Sequence, residues 1–142
     1  MCVLMLLYCT GIQAQHKIAN ATRVFTPPSI DGMLDDAAWK MCDTISDFTQ
    51  YVPNYKVKPT QKTVVRIAYD DNAIYIGAMM YDSAPDSILH QLGNRDDDLN
   101  ADKFAVQFDT YNMQTDAYVF IVWASGVQYD YRHTDYTYNA VR

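Results

Sequence analysis

The sequence predicts an all-β fold, an antiparallel β-sandwich of jelly-roll type with one or two short helices. Three observations carry that expectation. All 17 acidic residues are aspartate, which favours turns and caps, whereas glutamate is a good helix former. Twelve tyrosines, together with many Val, Ile and Thr residues, tip the balance toward strands. Through the second half, apolar runs alternate with short clusters of Asp, Asn, Gly and Ser, spaced as hairpins are in a sandwich.

Taken in order, residues 16–26 read as an entering strand. In "PPSIDGMLDDAAW" the prolines and Asp31-Gly32 set a turn, and residues 35–41 read as one or two helical turns. Asp35 and Asp36 sit at the start of that helix, where negative charge complements the helix dipole. Trp39, with Ala37 and Ala38 beside it, reads as a core plug. Residues 43–62 hold two prolines and no steady period, so they read as a long loop with a short strand near Phe48.

Residues 63–69 form a β-branched strand, and Asp70-Asp71-Asn72 supplies residues that tolerate left-handed turn conformations. The apolar run 73–81 predicts a strand buried on both faces. "SAPDSILHQL" reads as a short helix capped near Ser83 or Asp86. Residues 103–109 alternate Phe104, Val106 and Phe108 as a third strand, and 116–123 make a fourth. Ala124-Ser125-Gly126 then closes a hairpin onto 127–131.

The first fifteen residues, "MCVLMLLYCTGIQAQ", read as a secretory signal peptide: a short apolar run at 3–8 and a small-residue cleavage pattern ending at Ala14. The run is too short to span a bilayer. With Cys2 and Cys9 removed, Cys42 stands alone and reads as a small buried hydrophobe. Residues 16–142 then form one domain, and the absence of a closing strand after "HTDYTYNAVR" reads as a domain cut before its C-terminal end. The net charge of -6, with the 11 Lys and Arg scattered, argues against a general nucleic-acid-binding surface. No nucleophile elbow, zinc spacing or P-loop is present. Chance pairs among 17 aspartates carry no catalytic information.

Four motifs appear in sequence: "IDGMLDDAAW" (30–39), "VRIAYDDNAIYIGAMMYDS" (65–83), "DKFAVQFDTYN" (102–112) and "YVFIVWASGVQYD" (118–130). Together they resemble carbohydrate-binding module family 9-like domains, and more closely the N-terminal domain of large envelope proteins of Bacteroidetes-type bacteria. The resemblance covers residues 18–142. It implies a β-sandwich, non-catalytic sugar binding, calcium in some members, and attachment to glycoside hydrolases acting in carbohydrate catabolism. It also implies a secreted, periplasmic or outer-membrane-associated protein, with a barrel domain following.

Sugar recognition needs an aromatic face for the C–H side of a pyranose and polar groups for its hydroxyls. Trp123 ends a strand just before a hairpin, a rim position where binding residues gather. Tyr129 and Tyr131 share one strand face, and Tyr111 tops a turn. Arg95 in "GNRDDDLNAD" can fork onto sugar hydroxyls or pair with Asp96. The expected sugar contacts are therefore Trp123, Arg95, Tyr129 and Tyr111. Asp96, Asp98, Asn100 and Asp102 fall at alternate positions, a pattern of oxygen donors suited to calcium. An EF-hand is excluded, because Ala101 stands where glycine is needed and Gln107 where glutamate is needed. The rival expectation is a structural or interaction domain of an outer-membrane β-barrel protein without sugar affinity.

Overall fold

The computed structural model describes residues 17–112 and 115–134, so the signal-peptide expectation at 1–15 and the last eight residues lie outside it. The all-β class holds. Six strands form two three-stranded sheets, against one five-residue helix and one short 3-10 turn. The chain divides into two compact units. One holds residues up to Ile45 together with Val65–Gly77; the other holds Ser46–Val64 and the residues from Ala78 onward.

The first sheet has the order β1-β2-β3, with β1 at Thr22–Arg23, β2 at Thr63–Tyr69 and β3 at Ile74–Met80. The entering strand is only two residues long, and it pairs parallel to β2, with Thr22 opposite Ala68 and Arg23 opposite Tyr69. This corrects the wholly antiparallel expectation. The connection from β1 to β2 is long enough to bring the chain back to the same end of the sheet, which a parallel neighbour requires. No strand forms near Phe48; the only pairing in that neighbourhood is an isolated bridge between Ile45 and Val65.

The turn between β2 and β3 also differs in mechanism from expectation. None of its residues has positive φ. Instead the Asp70 carboxylate accepts the N–H groups of Asn72 at 2.7 Å and Ala73 at 2.9 Å, and the Tyr75 hydroxyl at 3.0 Å. These bonds, led by the one from Asn72, hold the Asp70 carboxyl below the ordinary aspartate range. Donating to that carboxylate in turn pushes the Tyr75 phenol up.

Helix α1, Ala37–Met41, brings Trp39 into a core with Val24, Ala38, Cys42 and Ala68, joined by Leu34 and Tyr75. Asp36 stands at the N-cap, but its carboxylate accepts the Ser29 N–H at 3.0 Å rather than a helix N–H. It ties the preceding turn to the helix start instead of capping the helix. Gly77 explains how the indole fits. A Cβ there would lie 2.6 Å from Leu34 Cδ2 and 3.3 Å from the Trp39 ring. A side chain at this position would have to displace the end of Leu34 and press on the indole.

β3 is not buried on both faces. Ile74, Met79 and Met80 are exposed, because β3 lies at an edge of its sheet. The stretch after it forms a 3-10 turn, Pro85–Ser87, not a helix. Neither Ser83 nor Asp86 caps it: Ala84 occupies the N-cap position without a side-chain bond.

The second sheet has the order β4-β5-β6 and is antiparallel throughout: Lys103–Phe108, Ala117–Trp123 and Gln128–His133. The β5–β6 turn closes with Gly126 N–H donating to Trp123 C=O at 2.8 Å. Gly126 has φ of 83°, the left-handed position that this three-residue connection requires. β5 alternates strictly. Ala117, Val119, Ile121 and Trp123 are buried, and the residues between them are exposed.

Candidate functional site

The strand registers sort the second sheet into two faces. Successive side chains point to opposite sides, and directly paired residues share a side. On one face, Ile121 stands opposite Tyr129 and Val119 opposite Tyr131. There Val119, Ile121 and Trp123 join Leu99 in a core, with Ala101, Val127 and Tyr129 packed against it. Trp123 is 2% exposed. The Lys103 ammonium lies 4.4 Å from its ring centroid, a cation–π contact. Trp123 ends β5 just before the turn, as expected, but a ring this enclosed presents no open face to a pyranose. The expected tyrosine pair does form. Tyr129 and Tyr131 have centroids 5.4 Å apart, with Tyr129 partly buried against the core.

The other face is the one left open. Here Phe104 pairs with Val122, Val106 with Phe120, and Phe108 with Tyr118. Phe108 and Phe120 meet edge to face at 5.9 Å. Tyr118 and Phe120 remain 44% and 49% exposed. Across the next ladder, β6 sets a polar residue opposite each of the β5 residues: Gln128 by Val122, Asp130 by Phe120 and Arg132 by Tyr118. An apolar stripe therefore runs beside a polar one.

The polar stripe is held in place. Arg95 donates to Gln128 Oε1 at 2.6 Å and to Asp130 Oδ1, and its Nε lies 3.7 Å from Asp96 Oδ2. Its bridging partners are thus on β6, with Asp96 a looser third. At the other end Arg132 donates to Asp116 Oδ2 at 2.6 Å. That bond is the main reason the Arg132 pKa rises still further. Tyr111 is 78% exposed in the connection from β4 to β5, and its N–H donates to Asp109 Oδ1 at 3.3 Å.

The acidic loop expected to suit calcium uses its carboxylates to build itself. Asp96, in a left-handed conformation at φ 68°, accepts the Asp130 N–H at 3.4 Å. Asp102 accepts the Leu89 N–H at 2.9 Å, and the Asn100 N–H donates to Gln91 Oε1 at 3.0 Å. Asp98 is exposed. Among the described residues no three His, Cys or Asp side chains converge on a point where a metal could sit.

Of the sequence-predicted residues, the fold brings Arg95 to the open face, at its polar edge. It places Trp123 and Tyr129 on the opposite face and leaves Tyr111 in a turn. Tyr118, Phe120, Gln128 and Asp130 were not singled out from sequence. The available signal was the alternation along β5, but both of its parities are apolar, so it does not say which one is buried. No helix among the described residues is long and apolar enough to cross a membrane. Comparison with family models, with curated proteins and with solved structures finds no match.

Proposed function

We propose that this chain is a non-catalytic carbohydrate-binding β-sandwich domain of the family 9-like kind. In this reading it tethers a larger secreted or envelope protein to polysaccharide, in the service of carbohydrate catabolism. The observation that carries the reading is the open face of the second sheet. Exposed Tyr118 and Phe120 lie directly beside Asp130 and Arg132. The aromatic rings supply a platform for the C–H face of a sugar. The neighbouring carboxylate, amide and guanidinium groups supply hydrogen bonds to hydroxyls. Because Arg95 and Arg132 already hold Asp130, Gln128 and Asp116, these groups lose little freedom on binding, which favours affinity. The ordered motifs that resemble the family point the same way.

The test is retention on immobilised xylan and cellulose, with calorimetry on soluble oligosaccharides. Phe120→Ala is expected to weaken binding about tenfold, the effect of losing one central aromatic contact. Arg95→Ala releases Gln128 and Asp130 and is expected to weaken binding several-fold. Equal binding by the parent and both variants would remove the site from this face.

The same stripe favours a second reading. Phe104, Val106 and Val122 are the kind of side chains that a protein partner covers, which suits an interaction domain of an envelope barrel protein. That reading predicts no glycan binding and co-purification with a barrel protein.

A further inference from the structure

We propose that the loop 50–58 is a contact site for anionic polysaccharide, chains whose pyranose units carry carboxylate or sulfate. The proposal rests on the carbohydrate-binding reading above and adds the charge class of the glycan, at a place separate from the open sheet face.

The first observation is charge. In a chain of net charge -6 with 17 aspartates, residues 48–69 hold no acid at all, yet they carry Lys56, Lys58, Lys62 and Arg66. The second is pairing. Three arginines elsewhere meet carboxylates: Arg23 with Asp71 at 2.5 Å, Arg95 with Asp130, and Arg132 with Asp116 at 2.6 Å. Among the described residues neither Lys56 nor Lys58 has an ion-pair partner. At physiological ionic strength the screening length is about 8 Å, so the sign of the nearest charges governs what approaches this loop.

The third observation is geometry. The loop is closed by its own backbone: Lys56 N–H donates to Gln50 C=O and Gln50 N–H to Val57 C=O, both at 2.8 Å, and Val57 N–H donates to Asn54 C=O at 3.3 Å. Lys56 takes a left-handed conformation, φ 61°, to make this closure. The loop thereby holds up two aromatic rings. Tyr51 and Tyr55 are 49% and 65% exposed and stand perpendicular, with centroids 5.7 Å apart. The Lys56 ammonium rests over the Tyr55 ring, 5.2 Å from its centroid, a cation–π contact.

A charged pyranose has two needs, a flat surface for its C–H face and a cation for its acid group. Tyr51 and Tyr55 supply the first with their exposed rings, and Lys56 supplies the second when its ammonium leaves the Tyr55 ring for the acid group. Lys58, two residues on, adds a second exposed cation to the loop. Lysine is a mobile point charge, which suits sulfate and carboxylate alike. An acidic peptide could use the lysines, but it has less use for the exposed tyrosine surface.

The experiment titrates the whole 142-residue chain by calorimetry with polygalacturonate, chondroitin sulfate, neutral xylan and polyglutamate. The expected result is binding to polygalacturonate, chondroitin sulfate or both, weakening steeply with added salt. Tyr55→Ala is expected to weaken it about tenfold, and the double variant Lys56→Gln/Lys58→Gln by at least as much. All three side chains are exposed, and far-UV circular dichroism verifies that each variant keeps its strands. The two anionic glycans separate carboxylate from sulfate recognition. Binding to xylan alone, unchanged in the loop variants, overturns this proposal and leaves the carbohydrate reading standing. No glycan binding overturns both. Equal binding to polyglutamate reassigns the loop to acidic peptides and overturns the sugar assignment.

Discussion

Trp39 and Trp123 are each 2% exposed, yet they reach that state by different routes. Trp39 projects from a five-residue helix onto a strand, and fits because Gly77 leaves room beneath it. Trp123 ends a strand and packs beside its own sheet neighbours, Val119 and Ile121, with Lys103 across its ring. For Trp39 the local sequence already pointed inward, since Ala37 and Ala38 are small neighbours that allow close packing. For Trp123 the local sequence pointed to the rim, since a glycine turn follows. The difference teaches that position along a strand says how near a residue is to the loops, while parity across the strand says whether it is buried. Both indole N–H groups are buried without a hydrogen-bond partner, so neither ring is held through its N–H. Packing holds Trp39 in, and packing together with the Lys103 ammonium over its ring holds Trp123.

That contrast can be broken most directly by truncation. Trp39→Ala and Trp123→Ala are each expected to cost about 3–5 kcal/mol in urea denaturation, the range for emptying a buried aromatic site. Each variant keeps one tryptophan as a fluorescent reporter. A cost under about 0.5 kcal/mol for Trp123→Ala, the range of surface substitutions, would show that this ring is a rim residue after all.

A smaller effect sharpens the Trp39 side of the comparison. Gly77→Val adds bulk where Leu34 and the Trp39 ring already press against β3. Overpacking of this kind is expected to cost about 1–3 kcal/mol, with a blue or red shift in Trp39 emission. Gly126 has open space around its Cβ position and needs its glycine for backbone conformation instead. Gly126→Ala should therefore destabilise without altering the Trp39 spectrum.

The smallest effect lies in the β2–β3 turn. The Asp70 carboxyl is held below its ordinary range chiefly by the Asn72 N–H, and then by the Ala73 N–H. A carboxyl whose folded pKa is depressed stabilises the fold at pH values above its unfolded pKa. That contribution is lost as pH falls through the folded pKa. Carboxyl titration followed by NMR should show Asp70 ionised to lower pH than a free aspartate side chain. In Asp70→Asn the acid-side loss of stability should shrink. An Asp70 titrating at the ordinary aspartate value would mean that the turn is not built on its carboxylate.

Much of the fold was legible in the chain. The β2 and β4 runs, the α1 segment and the β5–β6 hairpin follow from β-branched content, apolar alternation and turn residues within each segment. The partners of Arg95 were not legible, because Gln128 and Asp130 lie more than thirty residues away and nothing local selects them. The same holds for the parallel pairing of β1. A two-residue strand carries no pattern that announces the direction of its neighbour. Nor could the exposure of β3 be read from its apolar composition. Burial of a strand depends on what covers it, and β3 lies at a sheet edge.

The sequence by itself determined the all-β class, the placing of β2 to β6, and the small, inward setting of Trp39. Those properties rest on short-range physics: steric limits on each residue, side-chain bonds to nearby backbone, and hydrophobic period. Only the tertiary structure decided which face of the second sheet stays open. Along β5 one parity reads Ala, Val, Ile, Trp and the other Tyr, Phe, Val, so both have the hydrophobicity to be buried. Leu99, from the segment leading into β4, covers the first together with Ala101, Val127 and Tyr129. That cover turned Trp123 inward and left Tyr118 and Phe120 beside the polar edge that Arg95 holds.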